Sequence, residues 1–301
     1  MLYLNEERVR GLLRWGELIP AMERALAAFS RGKVVQPVRN MLTIEEGKRY
    51  LGIMPAVADE AMGAKLVSFY PGNARTDIPT HLAMILLFRP DTGEPVAVMD
   101  GRLITEMRTA AVSAAVTNYL AAPDSRVLAL LGSGVQARAH LEALAQIRRF
   151  EEVRVWSRTA AHAERFAEQH GARATTREAA IRGADVIVTA TNALEPVLEG
   201  AWLKPGAHVN AVGSPRPGWR ELDDSAMANT LVVDSREAVL KESGDVILSK
   251  ATIYAEAGEI FAGTKATPAG TTTVFKSVGM AIEDIATAKL VYDAASRQDT
   301  G

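Results

Sequence analysis

The sequence predicts an α/β protein of two domains, one a doubly wound parallel sheet and the other an α+β domain. Three observations predict it. The chain has 301 residues, and roughly 100–200 residues per domain makes two domains the expectation. Its 48% hydrophobic and 23% charged residues are ordinary for a globular chain and wrong for a disordered one. Its texture also changes along its length, from short apolar runs broken by turns to a regular alternation of strands and helices. Charge narrows the function: 34 Lys and Arg against 36 Asp and Glu leave a net −2, which excludes a strongly basic nucleic-acid binder. The absence of cysteine removes disulfides, thiolate metal sites and thiol nucleophiles.

Each element has its own local signal. Asn5 before Glu6 and Glu7 reads as a helix cap with an acidic first turn. Pro20 suits the start of the next helix, in which Met22, Leu26 and Phe29 recur at helical spacing. From Val34 the runs Tyr50–Met54, Ala64–Phe69, Leu82–Phe88 and Val96–Met99, separated by turns such as Pro71-Gly72-Asn73, predict a mostly antiparallel sheet. An Ala-rich helix over Ile104–Ala122 ends at Pro123-Asp124. Strands at Val127–Leu131, Val153–Trp156, Val186–Ala190 and His208–Val212 then alternate with helices, the rhythm of a parallel sheet. Residues Thr271–Ala295 read as one long helix with Val274, Val278, Ile282 and Ile285 on a stripe. The longest apolar runs fall far short of the roughly 18 residues that span a bilayer, and the N-terminus turns acidic within seven residues, unlike a signal peptide. A soluble cytoplasmic protein is the expectation.

The sharpest local signal is Val127-Leu-Ala-Leu-Leu-Gly132-Ser133-Gly134-Val135-Gln136-Ala137. Gly-x-Gly-x-x-Ala leaves a buried-strand run and opens a helix, the arrangement of a Rossmann-type dinucleotide site. Gly132 permits the tight turn, Gly134 lets a pyrophosphate approach, and the helix N-terminus offers free N–H groups. A structural loop can carry the same glycines; the strand before and helix after favour the cofactor. In NAD-binding folds an acidic residue ends the second strand and bonds the ribose 2′-hydroxyl. Glu151 and Glu152 lie at the wrong end of that strand, whose exit carries Ser157-Arg158-Thr159. Two hydroxyls and a guanidinium suit a 2′-phosphate, so NADPH (NADP+) is favoured over NAD(H), the other reading being a helix cap beside an exposed Arg.

Arg39, Lys65 and Arg108 stand within or beside apolar segments. Singly each reads as a solvated or snorkelling side chain; together they would make an anion site for a carboxylate. The five histidines show no paired ligand spacing, so no metal site is expected, and His162 and His170 fall on a charged, solvent-facing helix. No Gly-x-Ser-x-Gly elbow supports a serine hydrolase.

The sequence resembles the ornithine cyclodeaminase/mu-crystallin family, most closely its ketimine reductases. The matching stretches run nearly end to end: Gln36-Pro-Val-Arg39, Tyr50-Leu-Gly-Ile-Met-Pro55, Lys65-Leu-Val-Ser-Phe-Tyr70, Ala97-Val-Met-Asp-Gly101, Arg108-Thr-Ala-Ala-Val-Ser-Ala114, Gly132–Ala137, Lys204–Gly213, Arg220-Glu-Leu-Asp-Asp224, Leu240–Val246 and Thr272-Thr-Val-Phe-Lys-Ser277. The resemblance implies a homodimer, with residues 1–115 and 278–301 forming the substrate and dimerisation domain and 116–277 the NADP(H) domain. The substrate would sit between the two domains. It implies that Arg39, Lys65 and Arg108 hold the substrate carboxylate and serve the chemistry, and that Glu256 lies near the ligand. It also places Thr109 and the Asn210–Val212 strand end near the nicotinamide and makes Ser157-Arg158-Thr159 an NADP-type signature.

One departure bears on the reaction. Cyclodeaminases and related alanine dehydrogenases carry a catalytic aspartate two residues after the glycine of the Asn-Ala-Val-Gly run, where this chain has Pro215. Proline exchanges no proton, so the expectation is NADPH-dependent reduction of a preformed cyclic ketimine carboxylate, Δ1-piperideine-2-carboxylate or Δ1-pyrroline-2-carboxylate, to pipecolate or proline. Reductive amination of 2-oxo acids by an alanine dehydrogenase-like reaction, or NADPH-dependent binding of a small ligand without turnover, are the competing expectations.

Overall fold

The computed structural model describes residues 1–299, which divide into two compact units: Met1–Arg108 with Met280–Gly301, and Thr109–Gly279. The first unit opens with β1 (Leu2–Leu4), α1 (Glu6–Leu12) and α2 (Trp15–Ser30). The Asn5 side chain accepts from the Arg8 N–H at 2.9 Å, capping α1 above Glu6 and Glu7 as the sequence predicts. Pro20 does not start α2; it is the sixth residue of that helix. The helix tolerates the lost hydrogen bond because Leu18, Ala21, Met22, Ala25 and Leu26 are all buried, and tertiary packing outweighs a local breaker.

Strands β2 (Asn40–Glu45), β3 (Arg49–Ala58), β4 (Ala61–Phe69), β5 (His81–Phe88) and β6 (Pro95–Asp100) pair antiparallel in sequence order, and β1 joins β6 in parallel. Burial alternates along β3: Tyr50, Gly52, Met54 and Ala56 face inward, whereas Ile53 and Val57 are exposed. The same period puts Ala61, Gly63 and Lys65 of β4 on the inner face. Helix α3 (Arg102–Leu120) then carries the chain across the division between units.

The second unit holds eight parallel strands in the order β13-β12-β14-β11-β10-β7-β8-β9. In chain order its elements are β7 (Val127–Leu131), α4 (Val135–Leu144), β8 (Glu152–Trp156), α5 (Ala160–His170), β9 (Arg173–Ala174), α6 (Arg177–Ile181) and β10 (Val186–Thr189). They continue as β11 (His208–Ala211), α7 (Asp224–Met227), β12 (Thr230–Val233), α8 (Arg236–Glu242), α9 (Gly244–Ser249), β13 (Ile253–Glu256), α10 (Ala257–Phe261) and β14 (Thr273–Lys276). From β7 the chain winds outward through β8 and β9, then returns to β10 on the other side. The switch point therefore lies between β7 and β10, where doubly wound folds bind ligands beyond the strand ends.

The long C-terminal helix begins later than its stripe suggests. Residues Thr273–Lys276 form β14, and α11 spans Ala281–Asp299. Thr273, Val274, Phe275 and Lys276 are all buried in the middle of the sheet. A short run buried on both faces, polar Thr273 and Lys276 included, shows no period of its own, which is why this strand reads as a helix turn. Asp234 fixes the backbone between β14 and α11: its Oδ2 accepts from Ser277 Oγ (2.9 Å) and from the N–H groups of Val278 and Gly279 (2.7 Å each). In the first unit α11 lies on the inner face of the sheet. A Cβ on Gly63 would fall 2.3 Å from the Leu86 carbonyl oxygen of β5 and 2.9 Å from Ile285 Cδ1, so only glycine fits between the neighbouring strand and the helix there.

Candidate active site

Within the first unit the inward register of β4 drives Lys65 beneath α11, where it is 2% exposed. Its ammonium meets Asp284 in the first turn of α11, Nζ to Oδ2 at 2.6 Å. Asp284 shares its other oxygen with Arg108 of α3, Nε to Oδ1 at 3.0 Å, and Arg108 also pairs with Glu283. Lys65, Arg108, Glu283 and Asp284 are all buried. Half-buried Arg39 adds its positive field at Lys65. Burial pushes the Lys65 ammonium down from 10.5 to about 8; Asp284 opposes that fall, while Arg108 and Arg39 add to it. Burying charges is tolerable here because each has a partner of opposite sign. Lys65 and Arg108 thus share two buried carboxylates, with the positive field of Arg39 beside them. Nothing in the sequence singles out the two carboxylates, which break the apolar stripe at a helix start that favours acids in any case.

Within the second unit a cleft of about 480 Å³ opens at the switch point. Gly132, Ser133 and Gly134 line it after β7, Ser157 and Arg158 after β8, and Ala190–Ala193 after β10. Gly132 has φ +121°, and a Cβ there would sit 2.5 Å from the Ala190 carbonyl oxygen. Gly134 has open space where its Cβ would be, and it begins α4 without any side-chain cap, so the first N–H groups of the helix stay available. That cradle fits a dinucleotide pyrophosphate. Exposed Val135 and half-buried Gln136 open α4, and Gln136 Oε1 is buried without a hydrogen-bond partner. Thr159 occupies the N-cap position of α5 yet makes no capping bond, so its hydroxyl is not spent on the helix. Glu152 begins β8, at the far end from Ser157, and pairs with Arg154 and Arg173.

Thr109 and Val212 do not line this cleft: Thr109 is half-buried in α3, and Val212 follows β11 with its N–H on the Thr189 carbonyl at 3.0 Å. Glu256 is the N-cap of α10 in a capping box with Glu259, and it accepts from the Arg236 N–H at 3.0 Å. Ser214 has φ +49°, and Pro215 beside it is exposed.

A buried polar network supports the loops at the strand ends. Glu221 accepts from Thr189 Oγ1 (2.7 Å), Thr191 Oγ1 (2.6 Å) and the N–H groups of Thr191 (2.7 Å) and Gly213 (2.8 Å). Lys276 donates to the Gly213 carbonyl at 2.7 Å and pairs with Asp245 at 2.9 Å. Only the fold unites these residues. His140 lies between the Gln136 carbonyl and Ser113 Oγ, and His208 between Thr273 Oγ1 and Asn210; burial holds each ring down at about 4 and therefore neutral. His162 lines the cleft while remaining exposed, and His170 packs on Phe166 with ring centroids 4.4 Å apart.

Comparison with known proteins identifies the fold and its lineage. Residues 2–299 match the ornithine cyclodeaminase/mu-crystallin family. The chain belongs to that family. Among relatives, the mouse ketimine reductase mu-crystallin is 52% identical over 98% of this chain and 97% of its own length. The structure of Thermococcus litoralis Δ1-pyrroline-2-carboxylate reductase in complex with NADH and L-proline superposes with TM-score 0.94. It is 38% identical and covers 99% of this chain and 98% of its own. An archaeal alanine dehydrogenase dimer with bound NAD gives TM-score 0.93 at 34% identity, covering 100% and 98%. The ornithine cyclodeaminase/mu-crystallin assignment thus covers both units, the Rossmann-type sheet and the α+β unit alike.

Proposed function

We propose that the chain is an NADPH-dependent reductase of cyclic ketimine carboxylates, converting Δ1-piperideine-2-carboxylate or Δ1-pyrroline-2-carboxylate to pipecolate or proline. The observation that carries this is the buried cluster of the first unit, in which Lys65 and Arg108 meet on Asp284 and the Lys65 ammonium is poised near neutrality. Two relatives named as reductases of such imines support it.

The cofactor, held by Gly132–Gly134 and Ser157–Thr159, supplies the hydride. Arg39 and Arg108 bind the substrate carboxylate, and this fixes the ring relative to Lys65. Lys65 donates its proton to the imine nitrogen as the carbon accepts hydride. The C=N π bond is lost while one C–H and one N–H bond form, leaving a neutral amine on Lys65 that takes its next proton from water. An ammonium near 8 is protonated at neutral pH yet acidic enough to give its proton up. Thr109 and Val212 are assigned to the nicotinamide end. The Glu256 carboxylate caps α10 and receives the Arg236 N–H, so it serves the fold rather than the transfer. With Pro215 in place of an acid, this loop offers no proton exchange of the kind cyclodeamination requires.

A homodimer belongs to the same proposal. Ile53, Leu66 and Met84 form one row across β3, β4 and β5 on the outer sheet face, with Leu42, Leu51 and Leu82 in the next. Of these Ile53, Met84, Leu42 and Leu82 are 40–58% exposed. A second copy would cover this apolar face, consistent with the dimeric alanine dehydrogenase.

NADPH oxidation, followed spectrophotometrically, tests the reading with both cyclic imines and with pyruvate plus ammonia or methylamine. Turnover of the preformed imines well above that of pyruvate with amine is expected. The reverse preference would assign an alanine dehydrogenase-like reaction, and cofactor-dependent ligand binding without turnover would make the chain a binding protein.

A further inference from the structure

The cleft of the second unit has more positive charge than the Ser157-Arg158-Thr159 turn accounts for. Helix α5 does not merely start at the cleft; it runs along it. His162, Arg165, Phe166 and Gln169, spaced three, four and seven residues from the first, form one helix face, and all four line the cleft. Phe166 is the buried apolar member that seats this face, leaving His162 and Arg165 exposed beside it. Glu164 and Glu168 fall off that face, and no Asp or Glu is among the residues lining the cleft. The side chains of Arg158 and Arg165 have no hydrogen bond or ion pair among the described residues. Elsewhere in this unit Arg154, Arg173, Arg182 and Arg236 are all paired with carboxylates. Two unpaired guanidiniums around one acid-free cleft are arranged for an anion brought in by a ligand.

We propose that Arg165 is a specificity-determining residue that forms, with Arg158, a two-sided clamp on the cofactor 2′-phosphate. This rests on the NADPH reading and names the residue that completes it. Arg158 approaches from the turn after β8 and Arg165 from the body of α5. The two guanidiniums thus neutralise the dianion from two elements, and Ser157 adds a hydroxyl donor. NADH brings nothing for the second cation to hold, so the discrimination is built from a charge that only the phosphate satisfies.

The test measures Kd by titration for NADPH, NADH, 2′,5′-ADP and 5′-AMP on the full chain and on Arg165→Gln, Arg158→Gln and the double variant. Melting temperatures without cofactor check the fold. Arg165→Gln is expected to weaken NADPH and 2′,5′-ADP by about tenfold, as loss of a charge-assisted hydrogen bond does, with NADH and 5′-AMP changed less than about twofold. Equal losses for the phosphorylated and unphosphorylated ligands, or no loss for either, overturn the clamp. If Arg158→Gln alone discriminates, Arg165 falls and the NADPH reading stands. If the parent chain binds NADH as tightly as NADPH and neither arginine matters, the NADPH reading falls with it.

Discussion

Replacing Asp284 by Asn tests the proton-donor role of Lys65 most directly. The carboxylate touches both Lys65 (2.6 Å) and Arg108 (3.0 Å), and it is fully buried. Asn keeps the shape and removes the charge. Burial already lowers Lys65 to about 8 against the pull of Asp284, so without that pull it must fall further. Removing one partner of a buried pair costs about 3–5 kcal/mol. If about 3 kcal/mol of that appears at Lys65, its pKa drops by about two, to about 6. At pH 7.5 about 3% of the lysine would then be protonated, against about three quarters in the parent, a loss of roughly twentyfold or more in kcat. Activity that needs the ammonium falls as pH rises through its pKa, so the basic limb of the kcat profile should move from near pH 8 to near pH 6. The assay is kcat against pH with saturating imine and cofactor, with the melting temperature as a fold control. A folded Asp284→Asn chain whose basic limb stays near pH 8 would refute the role of Lys65.

Lys65→Met should lower kcat by about a hundredfold or more, in the range of a lost general acid; an unchanged kcat in a folded variant would remove Lys65 from the chemistry. Gly132→Ala should cost more than about 2 kcal/mol and abolish cofactor binding, since φ is +121° and the methyl would meet the Ala190 carbonyl oxygen at 2.5 Å; melting and NADPH titration check both. His140 and His208 stay neutral down to about 4 when folded, whereas the unfolded chain takes up their protons from about 6.5. Stability is therefore lost as pH falls through that window, by about 2 kcal/mol per ring at pH 5, and His140→Gln should flatten the slope of urea midpoints against pH. Ile53→Glu with Met84→Glu places charges at two exposed apolar positions flanking Leu66; light scattering should show a monomer, and a persisting dimer would move the interface elsewhere.

The candidate cofactor cleft of the second unit is legible in the sequence because its parts are local. The glycine turn, the strand before it and the helix after it occupy Val127–Leu144, and periodicity with backbone sterics is enough to place them. The Asn5 cap is equally local. The turn after β8 can be assigned to the cofactor only because strand direction says which end faces the ligand. Where the local signal is ambiguous the pattern misleads, as at β14, whose four buried residues have no outward face to show a period. Pro20 shows the opposite limit, a clear local signal overruled by the packing of α2.

The cation cluster of the first unit is different. Arg39, Lys65 and Arg108 stand out as charges among apolar residues, but nothing local says that they act on one another. Asp284 and Glu283 lie 176 and 175 residues from Arg108 in the chain. The sequence by itself determined most of the strands and helices, β14 excepted, and where a phosphate can approach a backbone. The tertiary structure alone decided that Lys65 is buried with a carboxylate partner, with an ammonium near 8 rather than 10.5. The reason is physical: conformation depends on a residue and its neighbours within a few positions, whereas ionisation depends on the dielectric and charges that folding gathers around it.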